Sequence, residues 1–507
     1  MRSDMHTHLK RLAAAALVSF FVGAPAFGSA ETEANVLNFA LSGNPDTLDP
    51  QATTGTLTFQ VTRSIYDTLI EPDESGSLVP ALARTYTVSD DSLTWTFGLR
   101  PEVRFHNGDG LTSADVKATF ERLVDEKTAS PSAAEFRAIS SISTPDEHIV
   151  IFHLSEPHAP LLSSMASGWG AILPRSLIDS DHDFGSEPVG TGPFSLLEWT
   201  RDSRIVLEKN EAYWVRGEPK LDMVVMNIII ERAVAVQALI AGELDAIYNV
   251  NAEDVPIIES DPNLSLSRNL TSLVMVMAIN NRREPLADIN VRRAINHAID
   301  KQAALDVAYG GGHVIGTFMD FGDPYYVDFT DLYPHDPDKA RELLEDAHIG
   351  DDVVLELALP QNFEPHVRAG ELYQEMLENV GLKVEIKLLD WSTWLGEVYG
   401  GGNFDLTVIG HTGKLDPDGR LGGYGEPGTY VGWENSDAAG LIESARKTAD
   451  IAERKNIYSR VLEIMALEVP FVYVGSSYRY VATASNVSGF RMDAKLDTFD
   501  FRNTEKH

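Results

Sequence analysis

The chain has 507 residues, more than one hydrophobic core usually supports, so we expect more than one domain. Apolar residues make up 43% of the chain and aromatic residues 9%, which is typical of globular proteins. A net charge of −35 would repel nucleic acids and anionic lipids, so we expect neither as a partner. The chain contains no cysteine, which excludes disulfides, thiolate metal sites and cysteine nucleophiles.

Residues 1–30 have the pattern of a cleavable signal peptide. Three basic residues precede an apolar run at 12–23, and the small residues of APAFGSA (24–30) predict cleavage at Ala26 or Ala30. The apolar run is too short to span a bilayer, and no later run is comparably apolar. Because no cysteine is available for a lipid anchor, we expect a freely diffusing periplasmic protein without stable membrane insertion.

The next part of the chain predicts short strands followed by a helix. In LTWTFGLR (93–100) apolar and polar residues alternate, the period of a half-buried strand. VRFH (103–106) predicts a second strand, and NGDG (107–110) predicts a turn. The segment TSADVKATFERL (112–123) predicts a helix, with Thr112 and Asp115 at the spacing of a capping box.

From residue 204 onward the pattern is that of an α/β domain. Strands are predicted at 204–210, 222–230 and 244–248, with a helix at 231–242 between the last two, and this order predicts a βαβ unit. Further along, we predict one amphipathic helix over 290–309, a helix over 337–347 capped by Asp336, a helix that ends at Gly381, and a strand over 382–390.

Several stretches together resemble the large solute-binding proteins of peptide and nickel ABC importers. The resemblance covers nearly the whole mature chain, in the family's order. It rests on TLDP (47–50), LVPALARTYTVSDDSLTWTFGLRPEVRFHNGDGLTSADVKATFERL (78–123), PVGTGPFSLLEW (188–199), EKNEAYW (208–214), INVRRAINHAID (289–300) and YPHDPDKARELLEDA (333–347).

This resemblance implies an α/β fold of the periplasmic-binding-protein type, in which two lobes close over a ligand like a clamshell. Lobe one would comprise residues 31–275 and be completed by 481–507, with an inserted subdomain at 75–190. Lobe two would comprise 276–480. The strand-rich stretch between two α/β-like regions agrees with this division.

Motifs that would indicate an enzyme or a metal site are weak. SARK (444–447) matches the S-x-x-K pattern but lies in an amphipathic helix, so we interpret it as a chance match. DPDG (416–419) is similar to the start of an EF-hand loop, but the later ligand positions of that pattern do not follow. The histidines have no metal-ligand spacing, and we interpret His153 and His158 as solvated loop residues. We therefore expect no catalytic residue, no metal and no cofactor.

A ligand-binding cleft needs aromatic faces and a few fixed polar groups at the ends of strands. Several candidates follow predicted strands or precede apolar runs, although core packing of the tryptophans and an ordinary turn at Asn362 are open alternatives. The candidate ligand-binding residues are Trp169, Tyr248, Asn249, Asn362, Trp391, Trp394, His411, Lys414, Asp416, Arg420 and Tyr424.

The segment HTGKLDPDGRLGGYG (411–425) contains the most informative candidates. Peptide-binding members of the resembled family carry an aspartate in a Gly-Asp or Ala-Asp pair after this strand, and it pairs with the peptide's ammonium. The matching pair here is Gly413-Lys414, and a lysine would repel an ammonium by about 4 kcal/mol at about 4 Å in an effective dielectric of about 20. Asp416 could take the aspartate's role after a short shift, or Lys414 could point into solvent while Asp416 caps a turn.

We expect the periplasmic substrate-binding component of an ABC importer, a monomer that delivers an oligopeptide or peptide-like solute to an inner-membrane permease. Lys414 keeps open a second class of ligand, an anionic or hydroxyl-rich solute such as an opine or a sugar conjugate. The shared architecture of nickel carriers keeps a metal chelate open as well.

Overall fold

The computed structural model describes residues 35–350 and 353–507. The predicted signal peptide (1–30) and its cleavage positions lie outside these residues. Residues Asn35–His507 cluster as one compact unit. Within the described ranges, we find no helix with both the length and the apolar character needed to cross a membrane.

The structure is a mixed α/β protein, as predicted. A π-helical segment, Trp394–Gly400, continues the short helix Trp391–Thr393. The helices are α1 (Thr56–Thr62), α2 (Ser113–Val124), α3 (Leu161–Ala166), α4 (Arg175–Ile178), α5 (Arg232–Ile240), α6 (Val255–Glu259), α7 (Ile289–Ala298), α8 (Lys301–Tyr309), α9 (Pro337–Asp346), α10 (Glu364–Asn379), α11 (Trp391–Thr393), α12 (Asp418–Leu421), α13 (Ser436–Lys447) and α14 (Ile451–Glu468).

The strands form one large sheet, one four-stranded sheet and three short pairs. They are β1 (Val36–Leu41), β2 (Ile70–Pro72), β3 (Leu78–Pro80), β4 (Ala83–Val88), β5 (Thr94–Leu99), β6 (Ile139–Asp146), β7 (Ile149–Leu154), β8 (Phe194–Thr200), β9 (Arg204–Lys209), β10 (Met223–Ile228), β11 (Ala246–Val250), β12 (Leu264–Leu270), β13 (Val274–Ile279), β14 (Gly312–Val314), β15 (Val354–Pro360), β16 (Lys383–Leu389), β17 (Leu406–His411), β18 (Phe471–Ala484), β19 (Val487–Ser488), β20 (Arg491–Asp493), β21 (Thr498–Asp500) and β22 (Glu505–Lys506).

The large sheet has the order β16-β15-β17-β13-β18-β11-β1-β10-β9-β8, and β12 and β14 also pair with β18. Lobe one is the part built on β1 and β8–β12, and lobe two is the part built on β13–β17. Strand β18 pairs with β13 through its first residues and with β11 and β12 through its last. The chain thus passes between the lobes at 271–273, after β12, and again within β18.

A separate sheet of lobe one has the order β4-β5-β7-β6 and is covered by α2. Trp95, Phe97 and Leu99 of β5 are buried, as the alternating pattern predicted. The rings of Phe97 and Phe120 both pack edge-on against Phe152, so sheet and helix share one core. This region lies within the predicted inserted subdomain.

The local predictions agree with the structure where the signal is a cap or a clear alternation. The backbone N–H of Thr112 donates to the Asp115 carboxylate at 2.8 Å, closing the start of α2. The βαβ unit is present as β10, α5 and β11, with β10 and β11 both parallel to β1.

Two predictions of secondary structure were wrong. Residues 103–106 do not form a strand, because their pairing is limited to a single bridge between Arg104 and Gly110. The helix over 290–309 is two helices, α7 and α8, with Ile299 extended between them. Asp300 begins the second helix by accepting a hydrogen bond from the Ala303 N–H at 2.9 Å.

Asp67 holds together two of the stretches that carry the family resemblance, 188–199 and 208–214. Its buried carboxylate accepts hydrogen bonds from Thr191 Oγ1 at 3.0 Å, Trp214 Nε1 at 2.8 Å and Tyr213 Oη at 3.3 Å. Burial raises the pKa of Asp67, against the hydrogen bond from Trp214, which lowers it. The next residue, Gly192, lies so close to the backbone of Ile65 that a Cβ there would be only 2.5 Å away, so a side chain at 192 would not fit.

Asp67→Ala should lower the stability of the protein by about 3 kcal/mol, because three buried donors lose their acceptor. Thermal or urea unfolding of the purified protein would measure the loss. The matched control is Asp90→Ala, which removes an exposed carboxylate. Equal melting temperatures of the two variants would contradict the role assigned to Asp67.

Candidate functional site

A cavity of about 720 Å³ lies between the lobes, beside the two chain crossings. Lobe one lines it with residues from 54–68, including one face of α1, and with residues from 134–171 around α3. Lobe two lines it with the loop 412–419, which follows β17. The crossing 271–273 and the hairpin segment 494–498 complete the lining.

Trp169 lines the cavity from lobe one. Its ring packs edge-on against Phe59 with centroids 5.6 Å apart, and its Nε1 donates to the Thr53 carbonyl at 2.9 Å. Both rings are therefore fixed before a ligand arrives, and they form an aromatic part of this wall.

The loop 412–419 is held tightly against the crossing. A Cβ on Gly413 would lie 1.9 Å from Ser272 Oγ, so a larger residue at 413 would displace Ser272. Ser272 Oγ in turn donates to the Ala494 carbonyl at 2.6 Å. The loop, the crossing and the hairpin are thereby joined behind the cavity.

Asp416 lines the cavity, but its charge is already paired. Both terminal nitrogens of the Arg454 guanidinium donate to it at 2.6 Å, and Ser163 Oγ of lobe one donates to it at 3.2 Å. Burial by itself lowers the pKa of Arg454, and the pairing with Asp416 outweighs it and raises that pKa. Asp416 thus stabilises the wall and has little capacity left for a ligand ammonium.

The charge of Lys414, in contrast to that of Asp416, is exposed and unpaired among the described residues. Its side chain is exposed and lines the cavity, and its methylene groups lie 3.2–3.4 Å from the place a Gly419 Cβ would occupy. Within the described residues its ammonium has no hydrogen bond or ion pair. The loop therefore offers an unpaired cation at the position where the resemblance implies an aspartate.

His411, Arg420 and Tyr424 lie behind the cavity wall and are not part of its lining. Arg420 donates to the Ser272 carbonyl at 3.0 Å and to the His411 carbonyl at 3.3 Å. His411 Nε2 lies 2.9 Å from Tyr430 Oη, and burial, reinforced by the charge of Arg420, lowers the pKa of His411 to about 3. Tyr424 packs on Phe318, so these residues support the loop.

Tyr248 and Asn249 lie in the lobe one sheet and do not line the cavity. Tyr248 stacks on Phe39 with centroids 5.8 Å apart, and its hydroxyl is 2.7 Å from Ser42 Oγ. Asn249 has a φ of 57° and forms the bulge where β11 shifts register against β18.

Trp391, Trp394 and Asn362 lie at the carboxyl ends of β15 and β16, also outside the cavity lining. Trp394 is buried and donates to Thr407 Oγ1 at 3.0 Å, while Trp391 stacks on it with centroids 5.1 Å apart. Asn362 is exposed in the turn after β15. Of the predicted site residues, the structure brings together Trp169, Lys414 and Asp416.

Sequence reasoning missed most charged residues of the cavity. Apart from Asp418, which lies in the DPDG segment, they come from short helices, a loop, the second half of β18 and the C-terminal hairpin, where no motif marks them. His158, which we expected to be solvated, is partly buried, and burial lowers its pKa against the attraction of Asp418 and Asp416. The missed residues are Arg63, Glu135, Arg137, His158, Asp418, Arg479, Lys495 and Asp497.

No group of three or more His, Asp or Glu side chains suited to a metal ion occurs in the parts of the chain that the structure describes. Three of the lining carboxylates, Asp416, Asp418 and Asp497, are instead paired with cations. Asp418 accepts from Arg446 at 2.9 Å, and Asp497 pairs with Arg479.

Comparison with known proteins agrees with this architecture. The family model described as "Bacterial extracellular solute-binding proteins, family 5 Middle" matches residues 77–430. The chain belongs to family 5 of the bacterial extracellular solute-binding proteins.

Relatives of this family match along nearly the whole chain. The chain is 30% identical to di/tripeptide-binding protein 1 of Pseudomonas aeruginosa, over 90% of this chain and 92% of that protein. It is 26% identical to the glutathione-binding protein GsiB of Pectobacterium atrosepticum, over 96% of each.

A solved relative is the periplasmic binding protein AgaA from A. tumefaciens R10, determined in complex with agropinic acid. It is 30% identical, has a TM-score of 0.71, and matches 93% of this chain and 99% of its own. The two-lobed α/β fold expected from the sequence is confirmed. Family 5 proteins are transport-associated binding proteins, so this chain is a solute-binding protein.

Asp416→Ala should destabilise the protein by about 3 kcal/mol, because Arg454 is left buried without its counter-charge. The double variant Asp416→Ala with Arg454→Met should lose less than the sum of the single variants. Urea unfolding of the three variants and wild type measures the coupling. Additive losses would contradict the pairing.

His411 should make the protein less stable as the pH falls. Its pKa is lowered in the folded state, so protonation favours the unfolded chain once the pH drops below the usual value of 6.5. Between pH 7 and pH 4.5 the wild type should therefore lose about 2 kcal/mol more than His411→Gln.

Urea unfolding at the two pH values checks this expectation. The control is His335→Gln, which replaces an exposed histidine and should follow the wild-type curve. A His411→Gln variant with the same pH dependence as wild type would refute the assignment.

Proposed function

We propose that the protein is the periplasmic substrate-binding component of an ABC importer, that it is not an enzyme, and that it captures a short peptide or peptide-like solute between its lobes. The observation that carries this proposal is the cavity of about 720 Å³, whose opposite walls belong to different lobes. The volume lies within the range of roughly 300–1,000 Å³ usual for small-molecule sites.

The lobes would comprise residues 31–275 with 481–507, and 276–480, with the inserted subdomain at 75–190. The crossings at 271–273 and within β18 support a division close to this one, with the first boundary just before β13, because the walls could rotate about them without breaking either lobe. A ligand would drive closure only by binding the closed form more tightly than the open form.

The class of solute is proposed from the relatives and the cavity together. The relatives' names refer to di- and tripeptides and to glutathione, and the AgaA structure holds agropinic acid. The cavity combines aromatic side chains with hydroxyl and charged groups, which suits small solutes with an apolar part and several polar groups.

The importer context gives the remaining parts of the proposal. The solute would be released to an inner-membrane permease, and the protein would act as a monomer after removal of residues 1–30. The family's extracellular character supports a location outside the cytoplasm.

Closure can be measured by fluorescence transfer, because the chain has no cysteine of its own. A dye pair on Lys117→Cys in lobe one and Lys339→Cys in lobe two should change its transfer efficiency when a bound solute closes the lobes. Thermal-shift screening of dipeptides, tripeptides, glutathione and agropinic acid would select that solute.

The matched control places both dyes on lobe one, with Lys117→Cys and Lys220→Cys, and its transfer efficiency should stay constant. All three lysines are about two-fifths exposed and accept labels. A solute that raises the melting temperature without changing the first pair's signal would contradict closure. Turnover of a bound solute would contradict the non-catalytic role.

A further inference from the structure

Most of the charge around the cavity is neutralised within the protein. Each of three lining cations has a carboxylate partner: Arg63 pairs with Glu71 at 2.5 Å, Arg479 pairs with Asp497, and Lys495 contacts Asp320 at 2.6 Å and Asp323 at 2.5 Å. The lining carboxylates Asp416 and Asp418 have arginine partners from α14 and α13. These groups shape the walls, and their charges are not free for a solute.

Three charges on the lining have no partner of opposite sign among the described residues. Lys414 has no hydrogen bond at all. Arg137 donates from Nε to the Ala134 carbonyl at 3.1 Å, and Glu135 accepts a hydrogen bond from Ser164 Oγ at 3.0 Å. All three side chains are exposed. Their charges sum to +1.

The three free charges lie on two walls. Lys414 is the free charge of the lobe two loop, and Glu135 and Arg137 lie together on the lobe one wall near α3. Both aspartates of the loop are paired with arginines, so Lys414 is the free charge that the loop presents to the cavity. An ammonium placed against this loop would meet a cation, and a carboxylate would meet its natural partner.

Resting on the proposed solute-binding role, we infer that the cavity binds its solute in a fixed polarity. A carboxylate of the solute pairs with Lys414, and its ammonium lies at the lobe one wall, where Glu135 is the acceptor. Among solutes that keep both an ammonium and a carboxylate, the excess of one positive charge further favours those with a second carboxylate. The protein as a whole carries −35, which repels anions, so recognition of an acidic solute depends on these local cations.

The test combines changes in the protein with changes in the solute. The solutes are the dipeptide Met-Leu, its C-terminal amide, its N-acetyl derivative, and glutathione, with affinities measured by calorimetry. For wild type, amidation should weaken binding by about tenfold or more, because an ionic hydrogen bond is lost. Lys414→Met should bind the acid and the amide equally, and Lys414→Arg should restore the difference.

The corresponding test at the other wall uses Glu135→Gln. N-acetylation should weaken binding to wild type by a similar factor and should have little effect in this variant. Glutathione, with two carboxylates and one ammonium, should bind wild type more tightly than Met-Leu. Lys339→Met, which removes an exposed lysine of α9, should behave as wild type throughout.

The outcomes separate the polarity from the proposed function. If wild type binds Met-Leu and its amide equally, or if Lys414→Met keeps the acid-to-amide ratio of wild type, the polarity is overturned while solute binding stands. If none of the unmodified acids binds wild type, both are overturned. Melting temperatures of the variants show whether a loss of binding is a loss of folding.

Discussion

Strand β18 is the element on which the position of the cavity depends. Its first residues pair with β13 of lobe two and its last residues pair with β11 and β12 of lobe one, so one strand belongs to the sheets of both lobes. Where β18 stops pairing with β13, its backbone must find other hydrogen-bond partners, and β11 and β12 provide them. This change of partner fixes where the lobes meet. The crossing 271–273 lies beside it, since Thr271 N–H donates to the Ser477 carbonyl at 3.0 Å. The loop 412–419 follows β17, the strand paired with β13, and therefore lies at this junction.

The parts of the fold with local causes could be predicted from the sequence. The cap at Thr112, the cap at Asp336 and the alternation in β5 depend on residues within a few positions of one another, and each occurs as expected. The split between α7 and α8 was missed because the apolar stripe continues through Asp300, although that residue caps the second helix. The two-lobed division was predicted from the family resemblance, because local sequence patterns do not show how distant segments assemble.

The cavity could be predicted only in part, because the status of a charge depends on distant partners. Asp416 and Lys414 are two residues apart and equally polar in sequence, yet Arg454, 38 positions later, pairs with one of them and leaves the other free. The candidate tryptophans were equally ambiguous. Trp169 reaches the cavity, whereas Trp394 is held in the lobe two core by Thr407. Nothing in the spacing of these residues distinguishes the two situations.

In the loop 412–419, structural and proposed ligand-facing charges are on different residues, and this separation affects how the specificity of the protein could change. The charges that hold the loop in place, Asp416 and Asp418, are separate from Lys414, the charge that we propose binds the solute. Replacing Lys414 with an acidic residue would reverse the sign of the proposed recognition group without disturbing a buried pair, so a new preference could arise in a single step. A substitution at 416 has no such freedom, because its partner on α14 would have to change as well. A change of ligand preference through residue 414 would therefore leave intact the ion pairs that hold the loop in place.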